Sequence, residues 1–439
     1  FGPAILGSNP SAPAIKMRKK HFENILNKIK NIFLPFYRSK EIKFVFDILE
    51  NGEDQNKKVA MFVGGCVRNF ILNKKIDDID IATSLTPEQI KDKFKETQVR
   101  IISTGLEYGS ITLIYKKSKF EITTLRKDKK TFGRHAEVSY INDWLEDSKR
   151  RDITINAIYL DRKGKIYDPQ NGKSDLKNKI VKFIGEPSNR IKEDYLRIIR
   201  FIRFALQYDS STDIETIDAL KLNLNGINTL SKERIFNELI KILKLKNFNN
   251  ILKHPNKKLI FMMIFPELKY LDRIKKIEKL STAKAIEIDS LLLLAILLID
   301  GSNNHEYFCH KYKTSNEIKE QLIAINKDYE QYVKDTSFLK NNLKKNIFLL
   351  GKNRVKNLVK LRHFSDKNNK EKDLFIKLNE IENIMTPKFP INGSDLKDRG
   401  LNEGKKIGHV LNILQKQWID NNFSLSEKEI SITLDKEKN

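Results

Sequence analysis

Between Val59 and Lys182, short β-branched runs alternate with polar stretches. "VAMFVGG", "DIDIAT", "RIISTG", "SITLIYK" and "KFEITTLR" read as strands of a mixed sheet. "TPEQIKDKFKE" reads as a helix entered through Thr86 and Pro87, a capping residue followed by a proline in the first turn. "KDKKTFGRHAEVSYINDWLEDSK" is polar without a period and reads as an irregular loop crossing the sheet edge. Beyond Pro187 the period becomes 3.6 residues and holds almost to the end, with breaks near Gly226, Pro255, Pro266, Gly301 and Gly351 and from Pro387 to Gly393. No fixed-period repeat is present. The pattern predicts a small α+β head with a mixed β-sheet, followed by a long all-α remainder.

Composition narrows the partners. The 439 residues, 40% of them hydrophobic, suffice for two or more domains with real cores. Lys and Arg number 82 against 57 Asp and Glu, a net charge of +25. Some of this lysine is background in a chain rich in Lys, Asn and Ile, but the excess still favours a polyanion: RNA or DNA first, a membrane surface second. Two cysteines, Cys66 and Cys309, give no disulfide framework and suit a reducing, cytoplasmic setting. The longest apolar run, "LLLLAILLI" (Leu291–Ile299), is about half what a bilayer requires. Residues 1–16 read as a linker or a remnant of expression. Residues 17–57 open with a basic amphipathic helical stretch whose glutamate and lack of serine argue against an organellar presequence.

The chemistry gathers in "GGCVRNFILNKKIDDIDIAT" (Gly64–Thr83). On a strand, residues two apart share a face, so Asp78 and Asp80 point one way while Asp77 points the other or precedes the strand. Two carboxylates about 4–6 Å apart repel by a few kcal/mol, which makes sense when a divalent cation lies between them. Oxygen ligands favour Mg²⁺, which takes one or two carboxylates and completes its shell with water and substrate phosphates. An isolated pair of this kind is more often a surface turn. Here it follows Gly64 and Gly65, whose backbone N–H groups can approach an anion, and Arg68, which can fork onto a phosphate. Together these describe a site for a nucleoside triphosphate. Glu121 in "KFEITTLR" either completes it from a neighbouring strand or faces solvent.

These residues resemble the signature of the class II nucleotidyltransferases of the DNA polymerase beta superfamily, the tRNA CCA-adding enzymes and bacterial poly(A) polymerases. The resemblance extends, in the family's order, to "RRDITINAIYLD" (Arg150–Asp161), "DPQNGKSDLKNKIVKFIG" (Asp168–Gly185), "RIKEDYLRIIRFIRFA" (Arg190–Ala205) and "LSKERIFNELIKIL" (Leu230–Leu243). "FPINGSDLKDRGLNEGKKIGHVLNILQKQWID" (Phe389–Asp420) is similar to the family's C-terminal tail. One departure is Asn69, where most members carry Asp; this argues against a direct metal role there. The resemblance implies a nucleotidyltransferase head (58–186), a helical neck selecting the base (187–245), a helical body (246–386) and an RNA-binding tail (387–439).

Base choice has a physical reading of its own. "EDYLRIIRFIR" reads as helix, on which Asp194 and Arg197 lie three apart on one face. Either they form an ordinary helix ion pair, or they offer an acceptor beside a donor. Cytosine and adenine both present an amino donor beside a ring acceptor and fit that edge; uracil and guanine do not. Buried hydrogen-bond readout of this kind discriminates by roughly 10⁴-fold. The resemblance gives these two residues the same role and adds Arg200 and Arg203 to the nucleotide site, although helical drift supports Arg200 more than Arg203, which otherwise braces the junction of head and neck. It also puts Arg151 on the nucleotide and Asp152 near the ribose hydroxyl, where the alternative is a strand-end ion pair. The segment "TTLRKDKKTFGRHAEV" resembles a loop that A-incorporating members need.

The implied reaction is template-independent addition of CCA to the 3′ end of tRNA from CTP and ATP, with Mg²⁺ on Asp78 and Asp80 and release of pyrophosphate. The lysine-rich helices would hold the acceptor and TΨC arms by phosphate and shape. Alternatives are a poly(A) polymerase, an A-only transferase and a non-catalytic RNA-binding module. "HEYFCH" (His305–His310) matches no common zinc spacing and reads as packing. The chain contains no His-Asp dipeptide, so an appended metal-dependent phosphohydrolase is not expected.

Overall fold

The structure, a computed structural model, describes residues 34–438 apart from 55–56, 104, 107–108, 133–134, 284–285, 336, 341, 367 and 402–403. The readings of residues 1–16 and of the helical stretch over 17–33 lie outside the described residues.

The strands are β1 (Ala60–Val63), β2 (Ile79–Thr83), β3 (Arg100–Ile102), β4 (Ser110–Tyr115), β5 (Ser118–Thr124), β6 (Arg126–Phe132), β7 (His135–Tyr140), β8 (Tyr159–Leu160) and β9 (Ile166–Tyr167). Seven of them form one mixed sheet in the order β3-β4-β5-β2-β1-β8-β9. Only β2 and β5 run parallel within it. Helices α1 (Lys40–Glu50), α2 (Gly65–Ile71), α3 (Pro87–Phe94), α4 (Trp144–Arg150) and α5 (Gly172–Lys177) accompany the sheet. Helix α3 begins where its sequence says, with Thr86 and Gln89 satisfying each other's backbone N–H groups in a capping box. Val45, Phe46 and Leu49 of α1 are fully buried, and Arg162 forks onto Asp47 and Glu50 of the same helix.

The segment expected as an irregular loop is ordered instead. Strands β6 and β7 pair as a separate antiparallel ribbon, and Asp143 caps α4 through Leu145 N and Glu146 N. A two-stranded ladder is built from backbone bonds, which need no apolar alternation, so the hydrophobic pattern carried no signal for it.

After the sheet the chain is helical: α6 (Pro187–Glu193), α7 (Leu196–Gln207), α8 (Ile214–Leu222), α9 (Lys232–Leu243), α10 (Pro255–Ile264), α11 (Ile274–Ala283), α12 (Ser290–Leu298) and α13 (Asn304–Tyr312). Then come α14 (Asn316–Lys334), α15 (Leu343–Leu350), α16 (Lys352–Ser365), α17 (Glu371–Asn383), α18 (Gly393–Asp398), α19 (Gly404–Asp420) and α20 (Glu427–Lys438). Internal packing divides the chain into two units. One takes the residues up to 290 together with 308–314; the other takes 291–307 and 315 onward. In the first, the hydrophobic faces of α7 and α9 are closed by Ile198, Ile202, Leu239 and Ile242, all almost fully buried. In the second, Leu396, Val410, Leu414, Ile430 and Leu434 form one core of α18–α20. His305 and Cys309 of "HEYFCH" are both buried on α13.

Candidate active site

Strand β1 ends in the Gly64–Gly65 turn that starts α2. Gly64 has φ +73°, and a Cβ there would stand 3.1 Å from Asp80 Oδ2 on β2. Any side chain at this position is therefore strained and pushes on the carboxylate; glycine alone allows the close approach. The Cys66 thiol, one residue further on, donates to Val63 O, and burial together with the Asp80 charge pushes it up to about 12. It is an inert packing thiol.

Asp80 and Glu121 are register partners on the parallel strands β2 and β5, and Asp78 lies just before β2. Burial raises the Asp80 carboxyl above its ordinary range, the Glu121 charge raises it further, and Asp78 adds to both; a Gly65 N–H bond and Arg68 pull the other way. Glu121 is exposed and pairs with Lys119 at 2.6 Å. Among the described residues no three His, Cys, Asp or Glu side chains form a metal cluster by themselves. A cation that needs only one or two carboxylates, with water and phosphate for the rest, fits this donor set. The oxygens are hard, and the electrostatic cost carried by Asp80 is one that a positive ion removes. Asn69 donates its side-chain amide to Lys75 O at 2.9 Å, so it ties the segment leading to the aspartates and has no free carboxylate to offer.

The arginines converge beside this turn. Arg68 donates to Tyr208 Oη at 3.2 Å and to Asn156 Oδ1, and its guanidinium lies 5.1 Å from the centre of the Phe204 ring. Arg200 and Arg203 lie 5.9 and 4.1 Å from the same ring. Arg200 meets Asp152 at 2.7 Å, and Asn156 also donates to Asp152. Burial pushes the Asp152 carboxyl up, but Arg200 and the Asn156 amide overcome it and hold the group far below the carboxylate range. Arg203 instead pairs with Glu238 of α9 at 2.8 Å. It braces α7 against α9. Arg151 is held by Asp147 and by Tyr159 Oη.

One expectation is corrected here. Asp194 is not helical: it sits at φ −155°, ψ 107°, between α6 and α7. The helix breaks because the Asp194 carboxylate accepts from Leu196 N, a local bond that competes with helix continuation. Arg197 therefore does not share a helix face with it. Asp194 pairs with Arg234 of α9 at 2.7 Å, and Arg197 pairs with Glu193 at 2.5 Å and donates to Arg190 O.

Sequence reasoning passed over Asp147, Asn156, Tyr159, Arg190, Glu193, Phe204, Arg234 and Glu238, all of which touch the residues above. For Asp147 a signal existed, because it stands three and four residues before Arg150 and Arg151 at helical spacing. For Arg234 and Glu238 none existed, since their partners lie 35–40 positions away.

Residues 60–182 match the family described as Poly A polymerase head domain, and residues 212–271 match the one described as Probable RNA and SrmB- binding site of polymerase A. The human CCA tRNA nucleotidyltransferase 1, mitochondrial, is 33% identical over 393 residues, covering 84% of this chain and 84% of that protein. The chain belongs to the CCA tRNA nucleotidyltransferase family. The CCA-adding enzyme of Ligilactobacillus salivarius is 32% identical, covering 89% of this chain and 95% of the relative. The fold of this tRNA nucleotidyltransferase is also that of the Bacillus stearothermophilus CCA-adding enzyme, solved in complex with CTP. That likeness has a TM-score of 0.66 at 22% identity and covers 91% of this chain and 98% of the other.

Proposed function

We propose that this chain adds C, C and A to the 3′ end of tRNA, using CTP and ATP without a nucleic-acid template and releasing pyrophosphate. The observation that carries the reading is its likeness, along 84–89% of its length, to CCA-adding enzymes from a vertebrate and a bacterium. The site chemistry supports it. Asp78 and Asp80, with Glu121 beside them, would hold the divalent ion, taken here as Mg²⁺. When bound, that ion neutralises charge at the α-phosphate and makes the primer 3′-OH more acidic.

The chain's own residues do the rest. The Gly64–Gly65 turn and Arg68 cradle the triphosphate, and Arg151, Asp152 and Arg200 hold the nucleotide beside them. Positioning and electrostatics carry such a transfer, because the hydroxyl attacks in line and pyrophosphate leaves without covalent help from the protein. Asp194 and Arg197 read the base after exchanging their internal partners, Arg234 and Glu193, for the base edge. Arg203 supports the neck through Glu238. Residues 58–186 act as the transferase head and 187–245 as the base-selecting neck. The helices of 246–386 and 387–439 hold the acceptor and TΨC arms through backbone phosphates. No described helix is long and apolar enough to cross a membrane.

Poly(A) synthesis is the second reading, favoured by the head-domain family match. ATP alone, supplied with an arbitrary RNA primer, separates the two: a long ladder means poly(A) synthesis, and no extension upholds CCA addition.

A further inference from the structure

Asp147 has no exposed surface, yet its single carboxylate gathers five donors. Oδ1 accepts from Arg150 Nε at 2.8 Å and from the backbone N of Arg126 at 3.4 Å. Oδ2 accepts from Arg151 Nε at 3.1 Å, Arg151 Nη2 at 3.0 Å and Tyr159 Oη at 2.7 Å. The Tyr159 hydroxyl in turn accepts from Arg151 Nε at 3.0 Å, and the Arg151 guanidinium stands 5.2 Å over the Tyr159 ring. The Nε–Nη2 edge of that guanidinium is thus committed inward, to a group on α4 and a group on β8. Its remaining nitrogen, Nη1, makes only a long contact with Asn156 O at 3.5 Å.

The charge count matters as much as the geometry. One buried carboxylate faces two arginines, so the cluster keeps a net positive charge, which suits an anionic ligand. Long arginine side chains lose considerable rotamer freedom when fixed, and a guanidinium fixed before the ligand arrives does not lose it again on binding. Arg126 begins β6, so the same carboxylate also fixes the root of the β6–β7 ribbon.

We infer that Asp147 is a positioning residue for nucleotide binding: with Tyr159 it holds the Arg151 guanidinium in the orientation that meets the incoming nucleoside triphosphate. The inference rests on the reading of Arg151 as a nucleotide contact. It assigns no contact with substrate to Asp147 itself.

The test uses the full chain, Mg²⁺ and a tRNA transcript lacking its last three nucleotides, with CTP varied at saturating tRNA and tRNA varied at saturating CTP. Asp147→Asn keeps the volume and removes the charge. The expected result is a rise in KM for CTP of about tenfold or more, the scale of lost charge-assisted hydrogen bonds, with KM for tRNA unchanged. Tyr159→Phe removes one hydroxyl and raises the same constant by a smaller factor; it carries the test if Asp147→Asn does not fold. Arg151→Ala separates the two levels of the argument. If it leaves KM for CTP unchanged, the nucleotide role of Arg151 fails and the inference fails with it. If it raises KM for CTP while Asp147→Asn, or Tyr159→Phe where the first does not fold, leaves it unchanged, the positioning role alone is overturned. In the double variant Asp147→Asn/Arg151→Ala, a group acting through Arg151 adds nothing to the loss from Arg151→Ala, whereas multiplying losses would overturn the inference.

Discussion

Asp80 and Glu121 stand opposite each other on the two parallel strands of the sheet, and the negative charge of Glu121 raises the proton affinity of the Asp80 carboxyl. A folded protein keeps such a like-charge pair at a cost, and a substrate-bound cation removes that cost. Asp80→Asn therefore separates stability from activity. It should leave the melting temperature equal or higher, because an unfavourable burial of charge disappears, while nucleotide incorporation falls by roughly 10³-fold or more. Thermal unfolding and primer extension on the same preparation check both halves. Glu121→Gln gives up an exposed lysine pair and relieves the repulsion on Asp80, so it should lower kcat while stability stays equal or rises slightly.

The buried Asp147 carboxylate gives a pH dependence with a definite sign. Burial pushes the group up, but Arg151, Arg150 and the Tyr159 hydroxyl reverse this and hold it at about 2, against 3.8 for a free side chain. A depressed carboxylate contributes stability that is present above pH 4 and is lost as pH falls from there toward 2. The contribution is on the order of 2 kcal/mol. Urea unfolding between pH 3 and pH 7 should show a steeper acid loss for the natural chain than for Asp147→Asn.

Lys257 carries a cost where Asp147 makes a contribution, and its window lies at higher pH. It is 2% exposed on α10, and its ammonium finds one acceptor, the carbonyl of Ser210. Burial lowers it to about 8, with Asp209 pulling the other way. Below pH 8 the folded chain carries the cost of a buried charge, so stability rises as pH increases from 8 to 10.5. Lys257→Met should remove that rise and stabilise the protein at pH 7 by up to about 3 kcal/mol. A destabilised variant at pH 7 would show that the ammonium's bond outweighs its burial.

Gly226 acts on the site without touching it. A Cβ at this position would come within 2.1 Å of the Tyr195 ring, the residue between Asp194 and α7. Gly226→Ala must displace Tyr195 and with it the neighbouring Asp194 carboxylate, to which the proposed function gives the reading of the base. The expected outcome is a higher KM for CTP and ATP with KM for tRNA little changed, read from steady-state extension kinetics.

Five strands and one helix of the head could be read from the sequence, among them "SITLIYK" with its period of two and "TPEQIKDKFKE" with its capped 3.6, whereas α2, α4, α5, β8 and β9 are too short to show a period. The β6–β7 ribbon could not, because its pairing is made by backbone groups that every residue carries. Glycine and aspartate in "GGCVRNFILNKKIDDIDIAT" pointed to the site through chemistry that few other residues supply. The error at Asp194 came from extending one helical period through a residue whose side chain prefers to bond its own backbone. The partners of Arg203 and Asp194 stayed hidden for a different reason. Arg203 and Asp194 meet α9 only once the chain has folded back, and no local spacing encodes that.

The most direct measurement of the central claim supplies the purified chain and Mg²⁺ with a tRNA transcript lacking its last three nucleotides, and resolves the products at single-nucleotide length. The account predicts growth by two nucleotides with CTP alone and by three with CTP and ATP together. Failure to add C with CTP, combined with addition of A to tRNA already ending in CC, would contradict it, as would a long ATP ladder on any RNA.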